Sequence, residues 1–221
     1  MLQYIAIIPI LLACMCAQST SPAMPSAPSV PLIVLIGPPL SGKTTFAEEI
    51  AHTYGIPSIS IEDLIRDNAD ELDRLRGQGM SLADMRYDPA MSRFLRERLR
   101  NTDLSHGLTL DGYPATVFQA EDLAKIFADS KMKLVALRLQ VPDDTIRKRA
   151  NAAGRQIDRP EILEQRIKDY HREMDAIPYY FPKAKIVDID ASYPEQQTWE
   201  QIEGALTDAG VKPAQTLNQR Q

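Results

Sequence analysis

A short glycine-containing segment has the residue types that bind phosphate. Residues 37–44, GPPLSGKT, match the pattern G-x-x-x-x-G-K-[ST] at every fixed position. Gly37 and Gly42 permit tight backbone turns, which point amide N–H groups at phosphate oxygens. Lys43 supplies a positive charge for the β and γ phosphates, and Thr44 supplies a hydroxyl for Mg²⁺. The segment therefore predicts a site for a nucleoside triphosphate with its Mg²⁺ ion.

An aspartate and a glycine follow a short apolar segment later in the chain. Residues 108–110, LTL, predict a short strand, and Asp111 and Gly112 come directly after it. A carboxylate there can hold Mg²⁺ through water if its strand ends near the phosphate-binding loop. Alone, an Asp-Gly pair is more often a plain β-turn. Together with the loop motif, it predicts a metal site formed by Thr44 and Asp111.

Strands and helices alternate along the chain around these motifs. Apolar runs predict strands at 32–36, 58–61, 108–110, 133–141 and 185–189. Helical patterns occupy 44–54, 62–75, part of 84–100, 118–127, the segment after Pro142, 160–175 and 198–209. This alternation predicts an α/β fold, in which a five-stranded parallel sheet is covered by helices on both faces.

The motifs together resemble those of the adenylate kinase family, over residues 31 to about 206. The loop GPPLSGKTT is similar to the family's phosphate-binding loop, and SIEDLIR at 60–66 to its monophosphate-binding segment. DGYPATVFQA at 111–120 is similar to the family pattern D-G-[FY]-P-R-T followed by Q-A. GRQID at 154–158, followed by Arg166, is similar to G-R-x-D-D and a later arginine. The resemblance implies a three-layer P-loop kinase fold.

The resemblance also implies roles for individual residues. It implies ATP binding by Gly37, Pro39, Leu40, Ser41, Gly42, Lys43, Thr44, Thr45 and Arg149. It implies catalysis by Lys43, Arg155, Asp158 and Arg166, where the arginines neutralise charge on the transferred phosphoryl group. It implies monophosphate binding by Ser60, Arg66, Gly112, Tyr113 and Gln119. Among these, Gln119 would hydrogen-bond the base edge and give base selectivity.

Several positions depart from the family pattern. Ala115 replaces the arginine that would clamp the acceptor phosphate, Ile61 stands in place of a threonine, and Ile157 replaces the first of two acids. The stretch 149–155 is very short for a lid over the phosphates. Arg149 fits a surface ion pair as well as it fits contact with the ATP. Losing a clamping arginine can cost about 10³-fold in rate. The candidates for a replacement charge are Arg86, Arg93 and Arg96.

The leading hypothesis is reversible phosphoryl transfer from ATP, with Mg²⁺, to a nucleoside monophosphate, with AMP as the default acceptor. No general base is needed, because the acceptor phosphate is already an anion. One alternative is a P-loop kinase of another small metabolite. The other is a catalytically weak or inactive member of the fold that binds nucleotide as a ligand, which the change at Ala115 and the short lid favour. We expect a monomer.

Length and composition limit the remaining possibilities. The 221 residues suit one domain at 32–210 with a C-terminal tail at 211–221. A net charge of -5 argues against nucleic-acid binding, which usually shows a basic excess. Cys14 and Cys16 are the only cysteines and both precede the domain. The domain can therefore hold neither an internal disulfide nor a cysteine metal site.

The N-terminus has the features of a leader. Residues 5–17 form an apolar run that suits a secretory signal but is too short to cross a bilayer. We predict a signal peptide or lipoprotein leader at 1–19 and a Ser/Pro-rich linker at 20–31. LLAC at 11–14 resembles a lipobox, so a lipidated Cys14 would tether the protein to a membrane. Because residues 1–4 contain no Lys or Arg, a misassigned start codon is the alternative. The leader predicts export to the periplasm or a lipid anchor, whereas ATP-dependent chemistry predicts the cytoplasm.

Overall fold

The computed structural model describes residues 30–77, 86, 90–155, 158–174, 177 and 186–214. The predicted leader with Cys14, the linker up to residue 29, Ile157 and the tail beyond residue 214 lie outside these residues. Parts of three predicted elements also lie outside them, at 84–85 and 87–89, at 175 and at 185. No helix in the described part of the chain is long and apolar enough to cross a membrane.

In the described chain, one or more helices follow each strand. The strands are β1 (Pro31–Ile36), β2 (Ser58–Ser60), β3 (Leu108–Asp111), β4 (Lys133–Gln140) and β5 (Ile186–Asp190). The helices are α1 (Lys43–Tyr54), α2 (Ile61–Asp67), α3 (Ala69–Arg76), α4 (Ala90–Leu99), α5 (Val117–Ile126), α6 (Asp143–Ala153), α7 (Pro160–Met174) and α8 (Glu195–Asp208). Each strand lies within one residue of its predicted bounds.

The strands form one sheet in the order β2-β3-β1-β4-β5, and every pairing is parallel. The first described strand, β1, therefore lies in the middle of the sheet, where Ile33 pairs with Thr109 of β3 and with Val135 of β4. Parallel neighbours need crossover connections, and the helices between the strands supply them. The predicted α/β fold with a five-stranded parallel sheet is confirmed.

The sheet separates two hydrophobic layers. Side chains of a strand point alternately to opposite faces, so β1 contributes to both layers. Its residues Ile33 and Leu35 pack with α1, α6 and α8, whereas Leu32, Val34 and Ile36 pack with α2, α4 and α5. Burial on both faces explains why β1 is a continuous apolar run in the sequence.

Two helices differ from their predicted extents. The single helix predicted at 62–75 is two helices, because the backbone leaves helical geometry at Asn68, whose side-chain Nδ2 donates to the carbonyl O of Leu64 at 2.8 Å. The last helix begins at Glu195 instead of Thr198. Its first turn, EQQ, is polar and carries no apolar signal, but Pro194 and Glu195 are typical of a helix start.

Candidate active site

The predicted phosphate-binding loop connects β1 to α1. Its backbone passes through Leu40 with φ 61° and Gly42 with φ 91°, both in the left-handed region, which glycine adopts most easily. Gly37 is restricted by space instead, because a Cβ atom there would lie 2.7 Å from Ser41 Oγ and 3.0 Å from the carbonyl O of Leu139. The two glycines of the motif are thus required for different reasons, one conformational and one steric.

Lys43, the first residue of α1, folds its side chain back onto the loop. Its Nζ atom donates to the carbonyl O of Gly37 at 2.9 Å, to that of Pro38 at 2.8 Å and to Ser41 Oγ at 3.3 Å. Burial lowers the pKa of Lys43 to about 8, although the carboxylate of Asp111 acts in the opposite direction. The loop therefore holds an ammonium group in place before any phosphate binds.

Thr44 and Asp111 meet beside the loop, as the metal-site prediction requires. The β1–β3 register pairs Leu35 with Asp111, and Thr44 Oγ1 donates to Asp111 Oδ2 at 2.7 Å. Burial raises the pKa of Asp111, while Lys43 and Thr44 counteract this rise. Hydroxyl and carboxylate oxygens are ligands that Mg²⁺ prefers, so the donor set fits this ion. Among the described residues no cluster of three or more His, Cys, Asp or Glu could hold a metal. Mg²⁺ usually keeps several waters and binds one or two carboxylates together with the phosphates of a substrate.

Asp158 joins the two predicted catalytic arginines. Its Oδ2 accepts from Arg155 Nε at 2.6 Å, and its Oδ1 accepts from Arg166 NH1 at 3.2 Å. The side chain of Asp158 is fully buried and that of Arg166 is 11% exposed, whereas that of Arg155 is 57% exposed. The connection between α6 and α7 and the first turns of α7 thus bring both guanidinium groups to one carboxylate.

The phosphate-binding loop, the Thr44–Asp111 pair and the two arginines, but not Asp158, line one cavity of about 380 Å³. Its charged lining residues are Lys43, Glu62, Arg86, Asp111, Arg155 and Arg166. The other lining residues are Pro39, Leu40, Gly42, Thr44, Thr45 and Gly112. Four cations against two anions in a partly enclosed space attract a polyanion, such as the phosphate chain of a nucleotide.

Arg86 is the one candidate for a replacement charge that lines this cavity. Its guanidinium pairs with Glu62, and its side chain is 16% exposed. Arg93 and Arg96 lie on α4, have side chains that are nearly half exposed, and pair with acids outside the cavity. No motif in the sequence distinguishes Arg86 from the other two arginines, because none of the three belongs to the motifs described above.

Four residues predicted to bind the monophosphate make contacts within the protein instead. Ser60 caps α2 by accepting from the backbone N of Asp63 at 2.9 Å. Tyr113 is buried and its hydroxyl bonds to Ser92 at 2.8 Å. Gln119 is fully buried, and both its amide oxygen and nitrogen bond to backbone. Arg66 has a 69% exposed side chain that pairs with Asp63. The fifth residue, Gly112, lines the cavity. Contact of the other four with a ligand stays a prediction.

A second cavity of about 280 Å³ adjoins the loop on its other side. It shares Gly42 and Thr45 with the first cavity, and its wall includes Arg149 and Tyr193. Arg149 donates to the carbonyl O of Leu40 at 3.0 Å and to that of Ala191 at 2.7 Å. The guanidinium therefore ties the phosphate-binding loop to the loop after β5. This placement favours the nucleotide-binding prediction over a surface ion pair.

Comparison with known proteins agrees with this geometry. The family model described as adenylate kinase matches residues 35–186. An adenylate kinase of Nocardia farcinica is 36% identical over 149 residues, which cover 66% of this chain and 82% of the relative. One of Trichodesmium erythraeum is 33% identical over 172 residues, covering 73% and 90%. One of a Chelativorans species is 30% identical over 192 residues, covering 80% and 99%.

Proposed function

The chain belongs to the adenylate kinase family, and from this premise we propose that it transfers a phosphoryl group reversibly from ATP, with Mg²⁺, to AMP. Family membership supports the coarser statement, a phosphotransferase of the nucleoside monophosphate kinase type. The identity of both nucleotides, the reversibility and the metal belong to the proposal. The observation that carries it is the cavity in which Lys43, Arg155 and Arg166 converge beside the phosphate-binding loop.

Phosphoryl transfer depends mostly on positioning and on stabilisation of charge. The three equatorial oxygens of the transferred group carry negative charge in the transition state, and cations already in place stabilise them without reorganisation. Lys43 is held by three oxygen acceptors, and Arg155 and Arg166 are held by Asp158. Each cation therefore has a defined position before the substrates arrive, which lowers the entropic cost of the transition state.

Mg²⁺ would be held at Thr44 and Asp111, whose oxygens already lie 2.7 Å apart. When bound, the ion neutralises charge on the β and γ phosphates. The chain's own contribution is to keep the threonine hydroxyl and the buried carboxylate together, next to Lys43. The hydrogen bond from Thr44 and the charge of Lys43 both favour the ionised form of Asp111, which is the form that binds a cation.

The acceptor side of the proposal depends on Gly112. Its φ of 69° lies in the left-handed region, and it borders the cavity next to Lys43. A Cβ atom at this position would lie 3.7 Å from Ile61 Cγ2 and 3.8 Å from Lys43 Cε. The absence of a side chain leaves room for a ligand to approach the backbone here. AMP is proposed as that ligand by analogy with the relatives.

The test is diphosphate formation by the full chain with Mg·ATP and each nucleoside monophosphate in turn. Lys43→Met serves as the blank, because it removes the ammonium group but keeps most of the side-chain volume. Lys125→Met is the matched control, since Lys125 is an exposed lysine paired with Glu121 on α5, outside the cavity. We expect turnover with AMP that Lys43→Met abolishes and Lys125→Met preserves.

Three other results would change the proposal. Turnover that depends on Lys43 but requires a different monophosphate would reassign the acceptor. ATP binding without transfer to any monophosphate would contradict the kinase proposal and favour a nucleotide-binding protein or a kinase of another metabolite. Turnover that survives in Lys43→Met would place the chemistry outside this cavity.

A further inference from the structure

Arg86 enters the cavity from the segment between α3 and α4. Its side chain lines the cavity together with Lys43 and Arg166. It also lines a narrower recess of about 70 Å³ that continues from the cavity to Ala115 and Gly112. Arg86 and Ala115 thus border the same recess, and the small alanine side chain takes up little of that space.

Two hydrogen bonds fix the backbone of Arg86 relative to Ala115. Gln119 Nε2 donates to the carbonyl O of Arg86 at 2.8 Å, and Gln119 Oε1 accepts from the backbone N of Ala115 at 2.7 Å. Because the Gln119 side chain is fully buried, these bonds do not compete with bulk water. Gln119 therefore acts as a positioning residue that holds position 86 next to position 115.

Glu62 holds the other end of the Arg86 side chain. The two side chains form an ion pair across the cavity, and Glu62 is half exposed. The ion pair keeps the guanidinium at a defined place. The carboxylate, however, accepts from N–H donors of the guanidinium that a phosphate would also use. A phosphate with two negative charges competes effectively with a half-exposed carboxylate for the same guanidinium.

We propose that Arg86 binds the phosphate of the acceptor nucleotide, taking over at position 115 the charge that Ala115 lacks, and that Glu62 holds it when no nucleotide is bound. This inference rests on the proposed function, since it needs an acceptor phosphate in the cavity. The positive charge then comes from position 86 in place of position 115, and both positions border the same recess. Binding of the acceptor exchanges the Arg86–Glu62 pair for an Arg86–phosphate pair.

The test uses initial rates of the full chain, with AMP and ATP varied separately. We expect Arg86→Ala to lower kcat/KM for AMP by about 10²–10³-fold and to change the KM for ATP by less than about threefold. Arg86→Lys restores part of the loss, because an ammonium group lacks the planar fork. The decisive variant is Arg86→Ala combined with Ala115→Arg, which we expect to recover about tenfold or more of the lost kcat/KM.

A second variant is expected to act in the opposite direction. Glu62→Gln removes the competing charge, so the KM for AMP should fall by about two- to fivefold. A purely structural role for the Arg86–Glu62 pair predicts loss of activity in both single variants. Arg93→Ala is the control, since Arg93 is an exposed arginine paired with Glu71 outside the cavity, and it should keep wild-type kinetics.

Wild-type kcat/KM for AMP in Arg86→Ala would overturn the inference. If the wild type shows no transfer to AMP, the proposed function fails, and calorimetric titration with AMP then decides about Arg86. Weaker AMP binding by Arg86→Ala than by the wild type would support the role, whereas equal or undetectable binding in both would overturn it. If circular dichroism shows that Arg86→Ala does not fold, Glu62→Gln and Arg86→Lys decide by the same criteria.

Discussion

Replacing Asp158 with asparagine tests how the two arginines of the site are held. Asp158 is a buried carboxylate that accepts from Arg155 at 2.6 Å and from Arg166 at 3.2 Å. Asp158→Asn keeps the size of the side chain and one acceptor oxygen, but it removes the negative charge between two guanidinium groups. We expect both the free energy of unfolding and the rate of phosphoryl transfer to fall.

The magnitude follows from the exposure of the two ion pairs. Removing one partner of a buried pair costs about 3–5 kcal/mol, and a retained acceptor reduces this cost. The pair with Arg155 is screened by water, because the Arg155 side chain is 57% exposed, so most of the loss comes from Arg166. We therefore expect a loss of about 2–3 kcal/mol. For a chain of this size, that lowers Tm by about 5–10 °C.

The functional effect is expected in kcat. A displacement of about 1 Å in a charged group that stabilises the transition state can reduce the rate by about 10²-fold. Calorimetry gives the Tm and initial rates give kcat and KM for both nucleotides. Glu164→Gln is the matched control, because Glu164 lies on α7 with Arg166 and also pairs with an arginine, Arg147, but its side chain is 41% exposed and lies outside the cavity.

The reasoning is refuted if Asp158→Asn changes Tm and kcat no more than Glu164→Gln does. That result would mean that the arginines keep their positions through other contacts. A lower Tm with unchanged kcat would restrict Asp158 to a structural role. A lower kcat with unchanged Tm would show that the carboxylate orients the arginines without stabilising the fold.

Three further changes test other parts of the structure. Arg149→Ala removes the tie between the phosphate-binding loop and the loop after β5, so the KM for ATP should rise by about tenfold in steady-state assays. Gly42→Ala places a residue at φ 91° with its Cβ 3.0 Å from the ring of Phe46, and urea unfolding should show a loss of about 1–2 kcal/mol or more, together with weaker ATP binding. Asp188→Asn removes a carboxylate whose pKa is held below its usual range by Arg138. The ionised carboxylate stabilises the fold, and this stabilisation is lost as the pH falls through the folded-state pKa. At neutral pH the variant should therefore be less stable than the wild type by up to about 1 kcal/mol. The difference should disappear in urea unfolding near pH 2.

The parts of the fold that depend on local patterns could be predicted from the sequence. The central strand β1 is a continuous apolar run, PLIVLI, which is the pattern expected of a strand that is buried on both faces of a parallel sheet. The break at Asn68 could not be predicted, because 62–75 has a continuous helical pattern and the side chain of Asn68 ends the first helix through one hydrogen bond. Residue types that fit both a helix and a turn leave this choice to the tertiary contacts.

The residues of the site also fall into those that could be placed from the sequence and those that could not. Lys43, Thr44 and Asp111 could be placed from the sequence, because the loop motif and the strand ends determine their positions. Arg86 could not be placed, since it belongs to none of the motifs and lies 25 residues before Asp111, so its position in the cavity depends on tertiary structure. In the structure Gln119 bonds to the backbone of Arg86 and Ala115, a role that no sequence motif indicates, and its contact with a base stays a prediction.

The short connection between α6 and α7 lowers the free energy that is needed to order the cations of the site. A long lid brings its arginines to the phosphates only when it closes, so part of the binding energy is used to order it. Here only residues 154–159 separate the two helices. Gly154, whose φ of 60° lies in the left-handed region, ends α6 directly before Arg155. Asp158, four residues after Gly154, already holds the Arg155 guanidinium at 2.6 Å. The carboxylate thus positions the arginine in the free protein, so less of the nucleotide's binding energy is needed to assemble the site.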